Sequence, residues 1–223
     1  MSRSLPAALA LAGTLFCAAQ ASAADLQFSN FTNGYQTVNI DVTAPEGHIS
    51  EFAYAGGLLA SLNGGASFTT YCVDVFESIG FGPTYANYTA VAGAAHAFAN
   101  SNANTDIGKL FAEGNAVNNA TAQAAFQIAI WEIAYETSGL YDLSTGAAKF
   151  FGGTAASSGA LGLASSWLGA LAGTGQGPSL TVFENRGHQD QVTAVPEPST
   201  YALMAAGLLS IGFMARRRSA SQR

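Results

Sequence analysis

NATAQAAFQIAIWEIAYE, from Asn119 to Glu136, is the stretch from which the fold is read outward. It holds no proline or glycine, and alanine and straight-chain residues dominate its first half, which favours a helix. Asn119 stands where an N-cap is expected, since its short side chain can accept a hydrogen bond from the first turn. The helix is predicted over about Ala120 to Glu136, with Phe126, Ile130, Ile133 and Ala134 on one apolar face. Gln123, Gln127 and Trp131 recur every four residues and form a neighbouring stripe.

Upstream the period changes to two. Leu26 and Phe28, then Val38, Ile40 and Val42, alternate with polar residues, and Asn33-Gly34 marks a turn between the two runs. Pro45-Glu46-Gly47 breaks the chain again. Further strands are expected over Ile49 to Tyr54, Leu58 to Leu62 and Ser67 to Phe76, the last rich in β-branched and aromatic residues and containing Cys72. After Pro83, the Ala-rich stretch from Tyr88 to Phe98 is predicted as a helix, and Asp106 to Phe111 as a short helical turn. Downstream, a helix is expected around Leu161 to Leu171 and a closing strand at Leu180 to Phe183. Strands first, helices in the middle and a strand at the end give the fold class α+β: a single, mostly-β domain with a helical insertion in its middle.

Both ends carry a different kind of sequence. Arg3, an apolar stretch from Leu5 to Ala19 and Ala21-Ser22-Ala23 form the three parts of a secretory signal peptide, with cleavage expected after Ala23 by signal peptidase. At the other end stand Pro196-Glu197-Pro198, an uncharged run from Tyr201 to Met214, and Arg216-Arg217-Arg218. The run is shorter than the ~20 residues of a stable spanning helix. The arginines favour the cytoplasmic side of a membrane and act as a stop. In this order the three parts resemble the PEP-CTERM sorting signal of Gram-negative bacteria. The resemblance implies transient insertion in the inner membrane, recognition and processing by an exosortase, and delivery to the cell surface or extracellular matrix. It also implies an association with exopolysaccharide and biofilm. The expected organisation is residues 1–23 signal peptide, 24–194 secreted domain and 195–223 sorting signal with its short transmembrane helix.

Charge and cysteine content narrow the domain further. Between Ala24 and Ala194 the cations are Lys109, Lys149 and Arg186, against every carboxylate of the chain except Glu197. Such a surface repels phosphate backbones, so nucleic acid is excluded as a partner. Cys17 leaves with the signal peptide, and Cys72 is then alone, which rules out an intramolecular disulfide. His48, His96 and His188 are widely separated and fit no metal-ligand spacing. There is no Gly-x-Ser-x-Gly elbow and no phosphate-binding glycine loop. No enzymatic activity, metal or cofactor is expected.

Two short stretches remain, Tyr71-Cys72-Val73-Asp74 on a strand and Phe126 to Glu132 on the helix. The pair resembles the thioester domains of bacterial surface proteins. In those a cysteine in a Tyr-Cys-Ile/Val setting is joined to the glutamine of a Thr-Gln-x-Ala motif, often followed by Ile-Trp. The likeness runs loosely from Phe68 to Asp190 and includes Gln189-Asp190; Phe126 stands where the family has threonine. It implies a thioester between Cys72 and Gln127, with Gln123 one turn earlier as the fallback partner. Such a bond would be a stored electrophile for an amine or hydroxyl on a surface ligand or matrix polysaccharide. Read without the resemblance, Cys72 is a small buried hydrophobe and Gln127 a core hydrogen-bonding residue. Two functions are therefore carried forward: a covalent adhesin, and a non-covalent structural or binding protein of an exopolysaccharide matrix.

Overall fold

The computed structural model describes residues 23–113 and 117–194. The expected signal peptide up to Ser22 lies outside the described residues, as do Pro196, Glu197, Pro198, the apolar run and Arg216, Arg217 and Arg218. Among the described residues no helix is long and apolar enough to cross a membrane.

Among the described residues nine strands and four α-helices follow one another as β1 (Ala23–Phe31), β2 (Gln36–Ala44), β3 (Gly47–Ala55), β4 (Leu58–Leu62), β5 (Ser67–Cys72), β6 (Thr84–Ala92), α1 (Ala103–Ala112), α2 (Ala120–Tyr135), β7 (Ala148–Phe151), α3 (Gly153–Ser157), α4 (Ala160–Ala170), β8 (Leu180–Glu184) and β9 (Gln191–Ala194). Six of the strands close an antiparallel barrel in the order β1-β4-β5-β9-β8-β6. The other three form a small antiparallel sheet in the order β3-β2-β7.

Period-two patterning accounts for the first strands. Ala24, Leu26 and Phe28 of β1 point into the barrel while Ala23, Asp25 and Gln27 are exposed. Val38, Ile40 and Val42 of β2 are likewise buried. Asn33 and Gly34 turn the chain with positive φ (57° and 90°), but they join strands of different sheets and make no hairpin. The hairpin falls instead at Pro45-Glu46-Gly47, where β2 and β3 pair in unbroken register from Gln36↔Ala55 to Ala44↔Gly47.

Helix α2 lies between the two sheets. It packs against β5 of the barrel, against β2, β3 and β7 of the small sheet, and against α1 and α4. With neighbours on every side it is buried without interruption from Ala122 to Tyr135, so the single apolar face expected of it is not what the fold uses. The Asn119 side chain caps it, accepting from the Ala122 N–H at 3.0 Å.

Three expectations are corrected. The stretch from Tyr88 to Phe98 is not a helix: Thr84–Ala92 is strand β6, paired with both β1 and β8, followed by one 3-10 turn at Gly93–Ala95. Alanine propensity there yields to tertiary pairing, with the Tyr88 ring fully buried in the barrel. The predicted strand from Ser67 to Phe76 stops at Cys72, because the Asp74 carboxylate turns back to accept from the Phe76 N–H at 2.7 Å. The strand expected at Leu180 to Phe183 is present as β8, but it is not the last: β9, in the stretch expected only to lead into the tail, completes the barrel by pairing with β5 and β8.

Candidate functional site

Cys72 is the last residue of β5, and two elements treat its two edges differently. On one edge β9 supplies ordinary ladder partners, Tyr71↔Val192 and Cys72↔Gln191, and the Val73 N–H continues to Asp190 O at 3.0 Å. On the other edge β4 reaches only as far as Leu58↔Thr70. Beyond that point the buried backbone of β5 needs partners from elsewhere.

Helix α2 provides one. The carboxamide of Gln127 accepts from the Cys72 N–H through Oε1 at 2.9 Å and donates through Nε2 to the Cys72 carbonyl at 2.8 Å. A primary amide can do this because it carries donor and acceptor side by side, like a peptide unit. One turn earlier, Gln123 Oε1 accepts from the Tyr71 hydroxyl at 3.0 Å and from the Gly57 N–H at 3.2 Å, while its Nε2 donates to Val117 O at 2.6 Å. Gly57 is required at this point, since a methyl group there would run into Gln123 Oε1. The two glutamines of the stripe read at four-residue spacing thus face β5, while its Trp131 stacks on Phe150 of β7, and it is Gln127 that reaches Cys72.

The cysteine thiol looks the other way. Sγ donates to Gln189 Oε1, and Gln191 Nε2 stands 3.5 Å from Sγ. Gln189 is itself fixed by Nε2 donating to Asp74 O at 2.7 Å. Burial pushes the thiol pKa up to about 12, with the neighbouring Asp74 charge raising it further and the Gln191 contact opposing. Cys72 is therefore a neutral thiol at physiological pH and not a ready thiolate. No histidine partners it: His48 contacts Asp41, His96 contacts Glu184, and the His188 ring packs on Tyr85. Among the described residues no group of three or more His, Cys, Asp or Glu side chains could hold a metal ion.

Phe126, in the position of the family's threonine, packs its ring on Tyr71, Phe111 and Trp167, with centroids 4.8, 5.0 and 6.1 Å away. It thereby fixes the residue immediately before Cys72. Of the two carboxylates near the motifs, Asp74 flanks the site, but Glu132 does not face Cys72: its Oε1 accepts from the Asp142 N–H at 2.7 Å.

The buried Cys72, Val75 and Trp131, with the half-buried Gln189, line a cleft of about 510 Å³ between the barrel and the small sheet. Its rim is aromatic. Gln189 was legible only through its place beside Asp190 in the thioester-domain likeness. Gln191 and the aromatic rim carry no sequence signal, because only barrel closure brings β9 and the β3 face to Cys72.

The model of the PEP-CTERM protein-sorting motif matches residues 194–218. No curated protein and no solved structure matches the chain. The matched segment contains Pro196, Glu197, Pro198 and all three clustered arginines, and it indicates an exported protein that an exosortase sorts to the cell surface or extracellular space.

Proposed function

We propose that the exported domain is a surface module whose Cys72 and Gln127 form an internal thioester, delivered by the exosortase route of a Gram-negative bacterium and using the bond to attach to a surface or matrix ligand. One observation carries the reading: the Gln127 carboxamide is held by two hydrogen bonds on the backbone of Cys72 itself, at 2.9 and 2.8 Å. The carboxamide is thereby fixed beside the residue that carries the nucleophile, and a turn of the Cys72 side chain from Gln189 toward Cδ completes the encounter, with proximity supplying most of what an unactivated amide lacks.

The step balances without a cofactor. Sγ attacks Cδ of Gln127, the Cδ–Nε2 bond breaks, and the thiol proton leaves with that nitrogen as ammonia. As the tetrahedral intermediate forms, charge gathers on Oε1, where the Cys72 N–H already donates. The new bond replaces the contact between Sγ and Gln189. An amine or hydroxyl of a ligand then attacks Cδ, and the Cys72 thiol is released. The domain undergoes one such event and is not regenerated, so it is an adhesin and not an enzyme.

The second reading is a non-covalent matrix-binding protein in which Gln127 serves as a substitute strand for Cys72. The same pair of hydrogen bonds performs that task, and the aromatic cleft favours it independently. Methylamine separates the two. The covalent reading predicts a methylamide located on Gln127 by peptide mapping and a thiol newly titratable at Cys72. An unlabelled Gln127 under the same conditions supports the non-covalent reading and removes the covalent one.

A further inference from the structure

Both ends of the described domain leave from the same end of the barrel. Ala23, where β1 begins, pairs with Thr89 toward the end of β6, and Leu26 pairs with Leu62, the last residue of β4. Ala194, where β9 ends, pairs with Leu180, the first residue of β8. The antiparallel register puts three connections at this level: residues 63–66 between β4 and β5, the turn Gly93–Ala95 after β6, and residues 175–179 leading into β8. Cys72 is at the opposite end, as the last residue of β5 paired with Gln191, the first residue of β9. The connections there include residues 73–83 and 185–190.

The two ends differ in charge. None of the residues 63–66, 93–95 and 175–179 is Asp, Glu, Lys or Arg. Asp25, whose N–H donates to Asn63 Oδ1, and Glu113, which takes the Thr174 hydroxyl, are carboxylates that border this end. The connections at the Cys72 end carry Asp74, Glu77 and Asp190 against Arg186 alone. Beyond Ala194, residues 195–200 precede the uncharged run from Tyr201 to Met214. The seven extended steps from Ala194 to Tyr201 span at most about 25 Å, at ~3.3–3.6 Å each.

We infer that, before exosortase processing, the barrel end holding Ala23 and Ala194 lies against the lipid surface and the Cys72 end is turned away from it. The inference rests on the reading that the run from Tyr201 to Met214 enters the membrane, and not on a bond between Cys72 and Gln127. A run held in a bilayer keeps Ala194 near the headgroups, and anionic headgroups repel carboxylates within about 8–10 Å at ordinary salt. The uncharged end meets little of that repulsion; the reverse orientation sets Asp74, Glu77 and Asp190 against it. Lipid is favoured over the exosortase as the occupant, because the three connections hold no Trp, Tyr or Arg, the side chains that anchor protein interfaces. Cys72 and its cleft are thus presented to the outside while the chain is still held at its C-terminal segment.

The test uses the 15N-labelled chain with its sorting segment kept, in nanodiscs of phosphatidylcholine and phosphatidylglycerol doped with a gadolinium-headgroup lipid. The exposed glycines Gly64, Gly65 and Gly175 report on one end, and Gly80 and Gly187 on the other. The first three amide signals are expected to be lost and the other two kept. Equal loss at both ends, or loss confined to Gly80 and Gly187, overturns the proposal. The double variant Ala66→Glu/Gln176→Glu, at two exposed positions, is expected to recover part of the lost signal in these discs and none in phosphatidylcholine alone. No recovery in the mixed discs removes the role of charge and overturns the lipid contact. A loss seen only once exosortase is added assigns the end to the enzyme and likewise overturns it. A chain that fails to elute with the discs removes the membrane reading itself, a result distinct from every signal pattern above.

Discussion

In the first half of α2, Gln123 and Gln127 turn toward β5, and at its C-terminal end Glu132 and the C-cap residue Glu136 turn toward the segment after the helix. All four are buried, and all four complete backbone that no strand or helix covers. The carboxamides meet a strand edge, where a donor and an acceptor are needed together: Gln127 serves both the N–H and the C=O of Cys72. The carboxylates meet a loop, where only N–H groups are presented. Glu136 accepts from Ser138 and Ala147 at 2.8 Å each, and Glu132 accepts from Asp142. The difference lies in the charge each residue imposes. A neutral carboxamide on the Cys72 backbone brings no charge near the buried thiol, so it does not raise the thiol pKa by repulsion. Glu132 cannot be buried without consequence: its second oxygen has no partner among the described residues, and burial pushes its carboxyl up to about 8. Half of the helix is thus indifferent to pH and half is sensitive to it.

The largest effect should come from breaking the carboxamide contact. Gln127→Leu leaves the Cys72 N–H and C=O buried without partners, and a loss of about 2–5 kcal/mol in urea unfolding is expected. Gln127→Glu distinguishes shape from chemistry, since it keeps the acceptor, removes the donor and brings a charge beside the thiol. It should fall between wild type and Gln127→Leu. If Gln127→Leu unfolds at the wild-type urea midpoint, the substitute-strand role of Gln127 is wrong.

The other half of the helix answers to pH. Glu132 has a folded-state pKa raised from an ordinary value of 4.5 to about 8, so the folded protein binds the proton more tightly than the unfolded chain does. Its contribution to stability is complete below 4.5 and is lost as pH rises toward 8, by roughly 2–4 kcal/mol. Glu132→Gln removes this titration while keeping the bond to Asp142, so thermal stability should lose most of its slope between pH 5 and 8 and exceed wild type at pH 8. Identical pH profiles for the two proteins would place the sensitivity elsewhere. Gly57→Ala forces Gln123 from its seat and should cost about 1–3 kcal/mol, with Gly80→Ala as a neutral comparison because it meets only the Tyr85 hydroxyl at van der Waals distance. The smallest effect belongs to the helix start, where Asn119→Ala should cost about 1 kcal/mol in thermal unfolding.

How far the sequence could be read follows from how local each signal is. The alternation in β1 and β2, the Pro45 to Gly47 turn, the Asn119 cap and the four-residue spacing of Gln123 and Gln127 are all set within a few residues, and each has its counterpart in the fold. Strand β6 misled because Ala90, Ala92, Ala94 and Ala95 carry helical propensity while Tyr88 and Val91 pair in the barrel. Strands β7 and β9 are four residues each, too short to show a period, and they exist because their neighbours offer an edge. The aromatic rim of the cleft was invisible for a related reason. Phe31, Tyr35, Phe52, Tyr54 and Phe81 come from four separate segments, and no spacing announces that two sheets will bring their rings together.

The intact mass of the exported protein under denaturing conditions reads the state of the bond between Cys72 and Gln127 directly. The mass is expected to be lower by one ammonia than the processed sequence requires, and the deficit is expected to vanish in both Cys72→Ala and Gln127→Ala. A full, unmodified mass together with one thiol that titrates on unfolding would contradict it.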